Sequence, residues 1–324
     1  MGAEAADPSC ADTPASAAEP YGRLTPRLWL QLAAPHTWPA SLMPAFVAVC
    51  AAAATSERIS VVMTLVLLVI VVLMQSAVNT FNDYYDYVKG ADSAEDNVEE
   101  SDATLVYNNV NPRSALVLAI GFLVAAFALG VYVIAVAGWI PLVIAVIGAC
   151  FVVLYSAGKT PISYLPVGEA ASGIVMGGLI PLACYQALTG RFEPLMLLWA
   201  VPTMIGVALI MFTNNTCDIE KDEEVGRNTL AVKLHRPRAV KLYHGLVYAW
   251  VVAVVVLTGA FFTPGLIVAP FMLLAAYPQL KALLANPIAP SSRIGAMAQI
   301  CGVNVTLGAF YGAAMLASLV GLVL

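Results

Sequence analysis

Nine apolar segments separated by short polar stretches constrain this chain more than any other feature. They run roughly over residues 37–55, 59–84, 113–137, 139–156, 166–188, 194–216, 238–260, 263–284 and 294–323. About 18–25 apolar residues cross a bilayer as a helix. In hydrocarbon the backbone finds no water to bond, so segments of this kind adopt the helix, which satisfies its own N–H and C=O groups. The chain has 324 residues, 60% of them hydrophobic and only 11% charged, whereas a soluble domain carries about 25% charged residues. The expected fold is all-α: a polytopic membrane protein with about nine transmembrane helices around a central cavity. Pro39, Pro44, Pro181, Pro202 and Pro270 fall inside these segments and predict kinks or irregular helix ends.

Charge placement orients the bundle. With a cytoplasmic N-terminus, Arg23, Arg27, Lys89, Arg113, Lys159, Lys221, Arg227, Lys233, Arg236, Arg238, Lys241, Lys281 and Arg293 all lie inside. Of the 15 basic residues only Arg58 and Arg191 remain outside. Cytoplasmic loops carry the excess of Lys and Arg, so the expectation is a plasma-membrane protein with its N-terminus inside and its C-terminus outside. Residues 1–22 are rich in Ala, Ser, Pro and acids and lack the basic and apolar parts of a signal peptide, which predicts a disordered tail. Residues 23–324 read as a single transmembrane domain. The six cysteines are scattered without a CxxC pair, so neither a disulfide framework nor a zinc site is expected. A net charge of -5 argues against nucleic acid as a partner.

Two acidic clusters stand out against this background. The first, Asn79-Thr-Phe-Asn82-Asp83-Tyr-Tyr-Asp86, ends the second apolar segment. The second, Asn214-Asn215-Thr-Cys-Asp218-Ile-Glu-Lys221-Asp222, ends the sixth. Carboxylates within a membrane cost about 2.5–3.5 kcal/mol each near the bilayer centre, so by default they mark function. Asn79, Asp83 and Asp86 share one helix face, and Asn214, Asp218 and Asp222 repeat every four residues on another. In the nine-helix arrangement both clusters and Lys159 face the cytoplasm and line one cavity mouth.

Paired acidic faces with a few cations nearby suit a diphosphate held through Mg²⁺, an ion that takes carboxylate and phosphate oxygens and keeps several waters. Ionisation of an allylic diphosphate builds negative charge on the leaving group, which metals and fixed cations stabilise. Lys159, Lys221 and Arg227 are the cations placed to help. The surrounding apolar helices would shelter an isoprenoid tail and keep water from a carbocation. The acids of segment 92–102 read instead as a solvated loop. His36, His235 and His244 lack metal-ligand spacing. Glu169, at the start of the fifth segment, is read equally as site support or as helix capping.

These motifs resemble those of the UbiA-type intramembrane prenyltransferases. Asn82-Asp83-Tyr-Tyr-Asp86 matches the first five positions of the family's Asn-Asp-x-x-Asp-x-x-x-Asp motif; Gly90 stands at the last, and the acid follows at Asp92. Asp218 and Asp222 meet its Asp-x-x-x-Asp motif. Tyr155 and Lys159 match a Tyr-x-x-x-Lys element that contacts the diphosphate in the family. The continuation through Gly226, Arg227 and Thr229 is similar to the branch that prenylates 1,4-dihydroxy-2-naphthoate, as are Pro161 to Glu169 and Pro35 to Pro44.

The resemblance covers roughly residues 28 to 323. It implies transfer of a polyprenyl group from its diphosphate to the naphthoate, releasing diphosphate and carbon dioxide and giving a demethylmenaquinone. Asp83, Asp86, Asp218 and Asp222 would then hold Mg²⁺, with Asn79, Asn82 and Asn215 as polar support. Tyr155, Lys159 and Arg227 would steady the diphosphate. The alternatives are a relative with another acceptor (4-hydroxybenzoate, homogentisate, haem or a chlorophyllide) and a secondary transporter that uses intramembrane carboxylates for ions.

Overall fold

The computed structural model of the protein describes residues 21–89, 104–156 and 161–320. Most of the expected N-terminal tail, the acidic loop around Asp92, and Lys159 lie outside these residues. The described chain is helical throughout, joined by short loops. Six helices are long and apolar enough to cross a membrane, or seven if the pair Pro26–Thr37 and Pro39–Thr55, bent by 62°, is one span. The apolar helices Ile140–Phe151 and Val201–Cys217 are shorter. Among the described residues each of the nine expected spans is largely helical, but not all reach membrane-crossing length. The sixth is shortened because α9 (Leu195–Trp199) stops at Ala200 and α10 (Val201–Cys217) restarts with Pro202 in its first turn.

Prolines account for several other helix boundaries. Pro39 and Pro270 sit in the first turns of α2 (Pro39–Thr55) and α13 (Ala269–Ala285), where a missing N–H removes no helical bond. Pro44, in contrast, lies inside α2. Pro181 follows a π-helical turn, Val175–Leu179, which joins α7 (Gly168–Ile174) to α8 (Ile180–Thr189). In α12 (Leu230–Phe261) the backbone leaves helical geometry at His235, just before Pro237.

The break between α1 (Pro26–Ala33) and α2 is held from the side by α3 (Val61–Lys89). Ala34 turns left-handed at φ 45°, which frees carbonyls at the end of α1. Thr80 Oγ1 donates to Leu32 O at 3.0 Å, and Asn79 Nδ2 donates to Ala33 O at 2.9 Å and to Thr37 Oγ1 at 2.8 Å. Such side-chain bonds let a helix break persist where water is scarce.

Small residues bring the central helices together. A Cβ on Gly177 would lie 2.5 Å from Met204 Cα, and one on Gly312 would lie 2.6 Å from Phe46 Cε1. The first contact fastens the π-turn to α10, where Thr203 Oγ1 donates to Gly177 O at 2.7 Å. The second seats α14 (Arg293–Ala317) on α2. Close backbone approach of this kind is how helices associate in lipid. In the outer helices α3 and α5 (Pro112–Ala137), side chains such as Val69, Val117, Val124 and Phe127 stay exposed, as a lipid-facing surface requires.

Candidate active site

The second acidic cluster is built where α10 gives way to α11 (Ile219–Glu224). Asp218 N–H bonds Asn214 O at 3.1 Å, and Asp222 N–H bonds Asp218 O at 2.8 Å. Helical continuity therefore carries Asn214, Asp218 and Asp222 along one face. Gly226 then adopts φ 74°, a conformation that suits glycine because it lacks Cβ. The turn it makes directs the chain back so that Arg227 N–H meets Asp222 O at 2.8 Å. The Arg227 side chain reaches the same residue, with Nη1 3.3 Å from Asp222 Oδ1.

Each carboxylate of this cluster faces an arginine. Arg293, the first residue of α14, places Nε 3.2 Å from Asp218 Oδ1, and its Nη2 donates to Asn214 Oδ1 at 2.5 Å. Arg293 is itself buried. Thr229 Oγ1 adds a long bond, 3.5 Å, to Asp222 Oδ2. Burial pushes the Asp222 carboxyl up to about 6, with Arg227 opposing and Asp218 adding to the rise. Burial also raises Asp218, again against a nearby cation, Arg293. In both carboxyls burial disfavours the charged form and the neighbouring arginine favours it.

A second layer closes over this cluster. Arg227 stacks over the Tyr164 ring at 5.0 Å, and Asn228 N–H bonds Tyr164 O at 2.9 Å. The segment 161–164 thus docks on the loop after α11. Gly168 follows, packed so closely that a Cβ there would lie 3.6 Å from the Tyr155 hydroxyl at the end of α6 (Ile140–Ser156). Asn215 Nδ2 donates to Glu169 Oε1 at 2.8 Å. The structure therefore gathers Tyr155, Asn215, Asp218, Asp222 and Arg227 into one region.

The first cluster is placed differently. Asp83 is 5% exposed, and its two oxygens accept the backbone N–H groups of Thr104 (2.8 Å) and Leu105 (3.2 Å). These donors open the one-turn helix α4 (Thr104–Tyr107), whose first N–H groups have no helical partner. Asn79 is engaged with the α1–α2 break described above, and Asn82 is exposed. The side chain of Asp86 lies outside the described residues.

One contributor was not singled out by sequence reasoning, and another was left between two readings. Arg293 figured there only as one basic residue among many, because nothing local in the chain connects it with Asp218. Glu169, balanced between two readings, makes a tertiary bond to Asn215, and no side-chain cap is formed at the start of α7.

As a cation site the region offers only hard donors: carboxylate, amide and hydroxyl oxygens, the set that suits Mg²⁺ rather than zinc or copper. Among the described residues no three His, Cys, Asp or Glu side chains converge on one metal position. The donor chemistry fits Mg²⁺.

Comparison with known proteins follows the same line. A family model described as the UbiA prenyltransferase family matches residues 41–293. The 1,4-dihydroxy-2-naphthoate octaprenyltransferase of Bacillus subtilis (strain 168) is 34% identical over 236 residues, covering 72% of this chain and 74% of that one. The protein of the same name from Mycobacterium tuberculosis (strain ATCC 25618 / H37Rv) is 30% identical over 255 residues, covering 77% and 85%. Among solved structures, a UbiA homolog from Archaeoglobus fulgidus bound to GPP and Mg2+ superposes with a TM-score of 0.59 at 17% identity, covering 89% of this chain and 99% of that one. That likeness is one of fold.

Proposed function

The chain belongs to the UbiA prenyltransferase family, and from that premise we propose that it transfers a polyprenyl group from polyprenyl diphosphate to 1,4-dihydroxy-2-naphthoate, releasing diphosphate and carbon dioxide and giving a demethylmenaquinone. A membrane-bound prenyltransferase is what the family establishes; the acceptor is the finer reading. It draws on two naphthoate prenyltransferases among the relatives and on the naphthoate-like segments Pro35 to Pro44, Pro161 to Glu169 and Gly226 to Thr229.

The observation that carries the chemistry is the pairing of Asp218 and Asp222 with Arg293 and Arg227 in a largely buried setting. Asp83, Asp86, Asp218 and Asp222 would hold Mg²⁺, which when bound supplies positive charge against the diphosphate. Arg227 is tied to Asp222 through both its backbone and its side chain, so its guanidinium is set before a diphosphate arrives. Preorganised cations of this kind favour a developing anionic leaving group. Tyr155 and Lys159 would add donors to the same diphosphate. Asn79 and Asn215 act one step back: the first holds the α1–α2 break, the second fixes Glu169. The apolar helices keep water from the allylic cation until the aromatic ring attacks it. In the nine-span reading thirteen of the 15 basic residues fall on the cytoplasmic side, which supports a site mouth open to the cytoplasm and an enzyme of the plasma membrane.

The test uses purified protein, radiolabelled polyprenyl diphosphate and Mg²⁺, with 1,4-dihydroxy-2-naphthoate or 4-hydroxybenzoate as acceptor and EDTA as control. Product from the naphthoate alone, lost in EDTA, is expected. Product only from 4-hydroxybenzoate would overturn the acceptor. Ion-driven uptake into vesicles with no prenyl transfer would overturn the enzyme reading.

A further inference from the structure

Glu169 is the buried ionisable group that the proposed chemistry leaves without work. It is 4% exposed. One oxygen, Oε1, accepts from Asn215 Nδ2 at 2.8 Å. The other, Oε2, is buried and has no hydrogen-bond partner among the described residues. Protein interiors rarely leave a polar atom in that condition, and where they do a ligand or role is to be sought. Its surroundings narrow the ligand. Gly168, the residue before Glu169, meets the Tyr155 hydroxyl, and Asn215, its partner, precedes Asp218 by three residues. A carboxylate oxygen accepts hydrogen bonds and repels a diphosphate, so the missing partner is a hydrogen-bond donor rather than an anion. Asn215 holds the carboxylate from α10, so the free oxygen is fixed in direction before anything binds.

We infer that Glu169 binds the aromatic acceptor, with Oε2 accepting a hydrogen bond from one of its ring hydroxyls. This rests on the reading of the chain as an aromatic prenyltransferase. The bond has a consequence for rate. A hydroxyl that donates to a carboxylate pushes electron density into its ring, which makes the ring a better nucleophile towards the allylic cation. It also sets specificity, because a site built to accept a hydroxyl hydrogen is left with an unpaired buried acceptor when an analogue lacks that hydroxyl. Asp222, Asp218 and Arg227 handle the diphosphate side; Glu169, anchored through Asn215, handles the acceptor side.

The experiment is a cycle of enzyme and acceptor changes. Wild type and Glu169→Gln are compared on 1,4-dihydroxy-2-naphthoate and on the two analogues that each lack one hydroxyl, 1-hydroxy-2-naphthoate and 4-hydroxy-2-naphthoate. Glutamine keeps the volume and can still accept from Asn215, but presents an NH₂ where Oε2 stood. Wild type is expected to prefer the parent over one analogue by roughly 10- to 100-fold in kcat/KM, the range of a charged hydrogen bond. In Glu169→Gln that preference shrinks to about threefold or less, while calorimetric affinity for an unreactive polyprenyl thiolodiphosphate with Mg²⁺ stays at the wild-type value.

Equal losses on all three acceptors would overturn the inference, since a purely structural role lowers every rate together. A weakened Mg²⁺ dependence of thiolodiphosphate binding would also overturn it, by assigning Glu169 to the metal. Should Glu169→Gln not fold, Glu169→Asp is put through the same cycle with the same readings. Absence of wild-type turnover with the parent naphthoate fails the proposed function itself, and this inference with it; a missing coupling in an active wild type fails this inference alone.

Discussion

The two acidic clusters look alike in sequence and are used differently in the structure. Each has aspartates three or four residues apart at the end of an apolar helix, with asparagines one turn earlier. Around the second, tertiary contacts bring in arginines: Arg293 from α14 onto Asp218, and Arg227 from the following turn onto Asp222. Around the first, the described contacts include the chain's own backbone. Asp83 takes the N–H groups of Thr104 and Leu105, and Asn79 takes the loose end of α1. A small apolar cluster of Leu32, Leu105, Val110 and Ala115, with Tyr84 and Tyr87 against it, seals that corner. The second cluster is thus an electrostatic device, and the first is also a structural joint where three parts of the chain meet. Spacing reports which residues share a face; it does not report what they face.

That contrast can be broken most sharply at the aspartates. Asp218→Ala and Asp222→Ala are expected to lower prenyl transfer by at least about 10²–10³-fold, as loss of a preorganised charge-stabilising group does, with membrane insertion and folding retained. Radiolabel incorporation into product measures it. Asp83→Ala is expected to lower turnover by a similar order, but with an added effect its counterparts lack. The amides of 104 and 105 lose their acceptors, so hydrogen exchange over 104–107 accelerates in Asp83→Ala and not in Asp218→Ala. Equal exchange in the two variants would erase the distinction between joint and device.

Arg293→Gln comes next. Removing one partner of a buried ion pair leaves the other charge uncompensated, at a cost of about 3–5 kcal/mol. The variant should lose thermal stability in detergent, and the double variant Arg293→Gln/Asp218→Asn should recover part of it. Additive losses would mean that the pair does not couple.

The smallest expected effect is at the rim. Arg236 Nη2 bonds Glu220 Oε1 at 2.8 Å, and Arg236 Nη1 also bonds Thr216 O and Ile288 O. The hydrogen bond from Arg236 holds the Glu220 carboxyl below its ordinary value. A carboxyl lowered by folding stabilises the fold above its unfolded pKa, and that contribution is lost as pH falls through the lower folded value. Because Glu220 is exposed, the gain is below about 1 kcal/mol. Glu220→Gln should therefore shift the melting midpoint slightly at pH 7, and by less as the pH falls below the ordinary carboxylate range.

Much of the scaffold was legible from the chain because hydrocarbon leaves few options. Long apolar runs had to be helices, and prolines such as Pro39, Pro202 and Pro270 marked where helices start. Span length was less legible: the break at Ala200 and the left-handed Ala34 depend on which neighbour satisfies the freed backbone groups. In the site, Asp218, Asp222 and Arg227 were readable because turn geometry over a few residues brings them together. Arg293 was not, since its meeting with Asp218 requires α14 to pack on α10. Asn79 was read from its spacing as sharing a face with Asp83, and its contacts with Ala33 and Thr37 come from packing between helices. Sequence spacing carries local geometry, and the partner across a helix interface is set by packing alone.

The most direct measurement is a calorimetric titration of an unreactive polyprenyl thiolodiphosphate into wild type and into Asp218→Asn/Asp222→Asn, each with and without Mg²⁺. If the arginine-faced carboxylates are the metal-dependent diphosphate site, wild type binds far more tightly with Mg²⁺ than without it, and the double variant loses that difference. An undiminished Mg²⁺ effect in the folded double variant would contradict it and move the diphosphate away from Asp218 and Asp222.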